Sequence, residues 1–160
     1  MAKLDVIAEI REDHRKIRDG LLELIAAVQS KNVGKAREIL DRINVLVRPL
    51  FIFEEKALYP TLKVFLGEYA EQLVKEHDTV IDTARSCTEL LKKGSLTDEE
   101  ARQGVNAVRA LLIHVSYCDG LAILFERLKS EELEQLAEKL AEAGEEGAPL
   151  RDWTEKIRKK

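Results

Sequence analysis

Apolar residues recur at steps of three and four along four long stretches of the chain, the periodicity of amphipathic α-helices. The first, about residues 4–30, places Leu4, Ile7, Ile10, His14, Ile17, Leu21, Leu24 and Val28 on one face, and Asn32 with Gly34 is expected to end it. The second, about 35–59, places Ile39, Ile43, Leu46 or Val47, Leu50, Glu54 and Leu58 inward, and Pro60 is expected to stop it. Pro49 lies inside this helix, removes one backbone donor and predicts a bend just before Glu54. The third, about 67–93, turns Leu73, His77, Val80, Ile81, Ala84 and Leu91 inward. Thr97 with Glu100 then reads as a capping box opening the fourth, about 98–128, with Val105, Val108, Leu111, His114, Cys118 and Leu121 inward. A shorter helix is expected from Ser130 to about Ala143, and Leu150–Lys160 reads as a last one anchored by Trp153. The expected fold is all-α: an up-down-up-down four-helix bundle with one or two short C-terminal helices against its outside or an end. The 160 residues read as one domain, with the bundle at about 4–128 and a helical tail at about 130–160.

Composition supports this picture. Eight Gly and three Pro are too few for a turn-rich β-sandwich, and Ala, Leu, Glu, Lys and Arg are good helix formers. The net charge of −4 argues against a dedicated nucleic-acid binder. Cys87 and Cys118 are too few for a disulfide scaffold or a zinc ribbon, and their depths on the helices argue against pairing them. Asp5 and Glu9 interrupt the apolar N-terminal stretch, so it does not read as a signal peptide. No run of about 18 apolar residues occurs, so no membrane span is expected and the cytoplasm is the expected location.

Histidine changes the reading. The chain has three, His14, His77 and His114, and each falls on the inward face of a different helix. Glu54 occupies the corresponding position on the remaining helix. The pattern repeats internally: His14 and His77 are 63 residues apart, and His14 to Glu54 spans 40 residues against 42 from His77 to Asp119. The chain thus reads as two copies of one helical hairpin. A lone imidazole on an apolar stripe is usually a hydrogen-bonded core residue. Four polar residues at matched depth instead suggest a metal held inside the bundle, since buried polar groups need partners. Imidazole suits iron, zinc or copper, and carboxylates can bridge hard ions. His114 and Asp119 are five residues apart, off one helical face, and Cys118 at four is better placed. Cys118 reads as a small core residue, a metal-adjacent thiol or a redox-sensitive ligand. Glu55 reads as a solvated charge, and Asp13 and Glu76 as solvated or supporting residues. Tyr59 with Pro60 reads as a helix end, and Tyr117 as a packing residue or a hydrogen-bond donor to a bound small molecule.

EDHRKI around His14, FEEKALYP around Glu54, KEHDTVI around His77 and HVSYCD around His114 together resemble the hemerythrin-like, or HHE cation-binding, family over about residues 4–140. The resemblance implies that His14, His77 and His114 are imidazole ligands and Glu54 a bridging carboxylate. His114 with Asp119 matches the family's HxxxxD form, which makes Asp119 the fifth expected ligand. The family's His four residues before the glutamate falls on Leu50, its extra His on the third helix falls on Leu73, and Cys118 stands where an HxxxE motif would have its Glu. The echo agrees at Leu50, which lies 64 residues before His114. Three outcomes stay open: a dinuclear site with water-filled positions, a single ion, or partial reversion to plain core. The implied function is non-haem metal binding, with iron in a mono- or dinuclear site and other transition metals as alternatives. Dioxygen, peroxide or nitric oxide would be bound or sensed, or iron held for transfer. The rival expectation is a metal-free or weakly metal-binding bundle acting through protein partners.

Overall fold

A computed structural model describes residues 5–145. All regular structure among them is helical: α1 (Val6–Gln29), α2 (Val33–Phe53), a π-helical turn (Glu54–Leu58), α3 (Tyr59–Leu66), α4 (Tyr69–Leu91), α5 (Asp98–Gly120), a 3₁₀ segment (Leu121–Arg127) and α6 (Ser130–Glu145). The stretch anchored by Trp153 lies outside the described residues. Connections of a few residues between long helices make neighbours antiparallel. The helices close a ring in which α1 packs on α2 and α5, and α4 packs on the same two. This is the expected up-down-up-down arrangement.

Helix starts follow local chemistry. Asp5 accepts a hydrogen bond from the Ala8 amide, and Thr97 with Glu100 forms the expected capping box on α5. Asn32 differs from expectation. It caps the start of α2 by accepting from the Lys35 amide, and Gly34 lies inside that helix. Gly67, at φ 56° and ψ −134°, closes α3 and turns the chain into α4, a conformation that only glycine takes without strain. Gly20 sits at a close approach of α1 and α2, since a Cβ there would lie 2.9 Å from Ile43 Cγ1.

Pro60 does not stop the second helix. It occupies the first turn of α3, where a backbone donor is not required. The irregularity expected near Glu54 takes the form of the π turn, five residues beyond Pro49, with the Tyr59 amide bonding back to the Glu54 carbonyl. Helix α5 ends at Gly120 and tightens into the 3₁₀ segment, where a continuous helix to about 128 was expected. Residues 50–54 are buried all round because α6 covers the outer side of α2. By length and composition, residues 98–127 suffice to cross a membrane; here the inner side of that stretch packs on α1 and α4.

Candidate metal centre

The π turn decides what surrounds Glu54. In an α-helix, a residue five positions on points away from the first; a turn closed by an i to i+5 hydrogen bond returns it to the same side. Tyr59 is thereby brought beneath Glu54 and donates its hydroxyl to Glu54 Oε2 at 2.5 Å. Both side chains are buried.

His77, the deepest of the histidines at 0% exposure, sits on the same pair. Its Nε2 lies 3.0 Å from the Tyr59 hydroxyl and 3.3 Å from Glu54 Oε2. Its Nδ1 lies 3.0 Å from Glu55 Oε2. Phe51 stacks flat on the ring, centroids 3.8 Å apart and planes within 4°. On α5, His114 Nε2 lies 3.3 Å from Cys118 Sγ one turn on, and the His114 ring is 5.6 Å from that of His77. Donor atoms of His77, His114 and Cys118 all fall within 4.8 Å of one another. On α1, His14 Nδ1 meets Asp119 Oδ1 at 3.1 Å, and Arg11 approaches the other Asp119 oxygen at 3.6 Å.

The three imidazoles share one orientation. Each turns Nδ1 to a carboxylate: His14 to Asp119, His77 to Glu55, and His114 toward Glu76 at a looser 4.0 Å. For His77 and His114, Nε2 carries the inner contacts. His14 Nε2 is buried and has no hydrogen-bond partner among the described residues. A carboxylate behind the outer nitrogen is the usual way to fix an imidazole's tautomer for metal ligation. His14, Leu50, Glu54, His114 and Cys118 line one small cavity of about 50 Å³. The donor set and the orphaned His14 nitrogen fit a transition-metal ion.

Charge follows burial and pairing. Burial works against a charged His77, but hydrogen bonds to Glu54 and Glu55 outweigh it and push its pKa up to about 9. Burial likewise opposes an ionised Glu54, yet His77 and Tyr59 hold its pKa below the ordinary value. Burial, then the nearby His77 charge, push His114 down to about 4. Burial, then Glu54, push the Cys118 thiol and the Tyr59 phenol upward.

These shifts set a pH dependence for the metal-free protein. An unfolded imidazole titrates near 6.5. From pH 6.5 to about 9 the folded chain keeps the His77 proton that the unfolded chain releases, so stability falls as pH rises. From pH 6.5 down to about 4 the unfolded chain protonates His114 and the folded chain resists, so stability falls as pH drops. Glu54 adds to the acid-side loss below about 4.5. Melting followed by circular dichroism is expected to peak near pH 6.5 and to lose several degrees toward pH 9 and pH 4.5. A flat profile would contradict the pairing.

The profile of the hemerythrin HHE cation binding domain matches residues 5–132. This chain belongs to that family. No curated protein and no solved structure matches it significantly. This hemerythrin-like domain assembles its polar core only partly as the sequence suggests. Glu54, His77 and His114 come together, with Cys118 beside His114 as α-helical spacing requires. Asp119, the partner that the HxxxxD form implies for His114, meets His14 instead, because residues five apart on an α-helix point in different directions. Leu50 and Leu73 are buried apolar residues, so the described residues do not gather a full dinuclear-iron ligand set.

Glu55 corrects the sequence reading: it is mostly buried and bonded to His77 instead of solvated. Tyr59 was missed, because its i+5 spacing from Glu54 looks wrong unless a π turn is anticipated. Tyr117 is 62% exposed, bordering a surface groove with His114 instead of packing between helices. Cys87 and Cys118 are free thiols, as expected.

Proposed function

We propose that this hemerythrin-like domain holds a non-haem metal, iron in the first instance, and presents it to a small ligand such as dioxygen, peroxide or nitric oxide. The observation that carries the reading is the common orientation of the three imidazoles, outer nitrogens on carboxylates and inner sides toward one polar cluster. Glu54, His77 and His114 supply donors to the centre, and His14, held from behind by Asp119, lines the same cavity. When bound, the metal would supply a Lewis-acidic and redox-active position open to an outside molecule.

The chain's own residues define what reaches that position. Leu50 supplies an apolar wall where the internal repeat would place another imidazole. The unpartnered His14 Nε2 offers the cavity a hydrogen-bonding group. A volume of about 50 Å³ admits a molecule of two or three atoms and excludes an organic substrate. His114 also borders an open surface groove with Tyr69, Val80, Ile113 and Tyr117, which gives small molecules a path from solvent. Loading displaces the proton that His77 carries between Tyr59, Glu54 and Glu55, because ligand atoms must be deprotonated.

The second reading, a metal-free bundle acting through protein partners, draws on one specific observation. Glu54, Tyr59, His77 and Glu55 already satisfy one another without an ion. Metal quantitation of the protein from iron-supplemented cells separates the two. About one equivalent or more of transition metal per chain, with higher melting when Fe(II) is restored to stripped protein, is expected. Less than about a tenth of an equivalent with unchanged melting would leave the metal-free reading standing.

A further inference from the structure

We infer that Cys118 is itself a metal ligand, and that Glu54, His77, His114 and Cys118 form one four-donor site for a single borderline or soft divalent ion. The inference rests on the metal-centre reading above and names the ligand set and the class of ion.

The argument is one of distances. A tetrahedral ion bound to nitrogen, oxygen and sulfur at about 2.0–2.3 Å separates its ligand atoms by roughly 3.3–3.8 Å. Two edges of such a figure already exist. Cys118 Sγ lies 3.3 Å from His114 Nε2, and Glu54 Oε2 lies 3.3 Å from His77 Nε2. The two edges meet at His77: donor atoms of His77, His114 and Cys118 are all within 4.8 Å of one another, and the Glu54 carboxylate, outside that group, adjoins it through His77. Three donors therefore need only a small closure around an ion, and the Glu54 carboxylate completes the set by moving toward it from His77.

Local structure explains each edge. His114 and Cys118 are one turn apart on α5, so a helix presents them together without distortion. The π turn at the end of α2 fixes Glu54 against Tyr59, and Phe51 with Glu55 fixes His77 from two other sides. Every donor is thus held before an ion arrives. The Cys118 thiol and the protonated His77 Nε2 each give up one proton to solvent as their bonds to the metal form.

The chemistry of the set selects the ion. A thiolate with two imidazoles and one carboxylate favours zinc, cobalt or ferrous iron over magnesium, calcium or manganese. A second ion would lack ligands of its own, because Leu50 and Leu73 are apolar and His14 is a single imidazole.

Cobalt(II) titration of the stripped, full-length chain tests this, because thiolate-bound cobalt gives an intense near-ultraviolet sulfur-to-metal charge-transfer band. The expected result is that band together with strong visible absorption of tetrahedral cobalt, saturating at one ion per chain. Cys118→Ser is expected to abolish the band and weaken cobalt binding about tenfold or more. Cys87→Ser, which alters a thiol outside the cluster, is expected to keep both. The wild-type spectrum is decisive by itself, so the test survives if Cys118→Ser folds poorly. Cobalt bound without the band, a band that survives Cys118→Ser, or saturation at two ions would overturn this inference while leaving a metal centre in place. A chain that binds neither cobalt, zinc nor iron would overturn this inference and the metal-centre reading together.

Discussion

Replacing His77 with alanine is expected to destabilise the metal-free protein by about 3–5 kcal/mol, the usual cost of removing one partner from a buried ion pair. The ring is fully buried, and three groups depend on it. Glu54 loses the positive charge that holds its pKa down, Glu55 loses its hydrogen-bond donor, and Phe51 loses the plane it stacks on. A buried carboxylate left unpaired is the costly element, more so than the cavity. In a chain of this size the loss corresponds to a fall in melting temperature of about 10 °C. Urea denaturation of the stripped protein measures it directly. The double variant Glu54→Leu with His77→Leu is the informative companion, because removing both charges together leaves neither one stranded. It is expected to recover much of the stability. A loss below about 1 kcal/mol for His77→Ala would show that the pair carries no net weight.

Phe51→Ala is expected to cost a similar amount, about 3–5 kcal/mol, for a different reason. Phe51 is 4% exposed, and one of its faces lies flat on His77. Truncation opens a void beside a polar cluster, so the His77 ring gains room to turn and its contacts with Tyr59 and Glu55 loosen. Phe51→Leu keeps most of the volume and is expected to cost less than half as much. Denaturation curves for the two variants, with the ring-proton NMR signals of His77, separate packing loss from loss of orientation. Equal costs for Ala and Leu would mean that the stacked plane matters more than the volume.

The fold was readable because its signal is distributed. Dozens of apolar positions at helical spacing define four long helices, and no single residue has to be read correctly. The three histidines and Glu54 were readable for the same reason, since matched depth follows from periodicity and the repeat. Glu55 and Tyr59 were not, because each owes its place to one local event. An α-helical projection points Glu55 outward, where the outer nitrogen of His77 meets it, and sends Tyr59 to the far side, from which the π turn returns it. Pro60 looked like a terminator because its missing donor is harmless at the start of a new helix, and that start was invisible in the apolar pattern. The pairing of Asp119 with His14 joins α1 to the end of α5 across 105 positions, beyond the reach of spacing arguments within one helix.

The π turn at Glu54–Leu58 also carries one more residue than an α-helical ladder needs to connect the same two points. It is in effect an accommodated insertion. A change of chain length is ordinarily severe within a helix, since losing one residue rotates everything beyond it by about 100°. Within α1 or α5 that rotation would drag the apolar stripe out of the core. Between Glu54 and Tyr59 the ladder can relax to ordinary α geometry, with Tyr59 still one turn below Glu54 and α3 still in register. Lys56, exposed in this turn, marks a point inside the helical run where one residue can be lost without rotating the core face away.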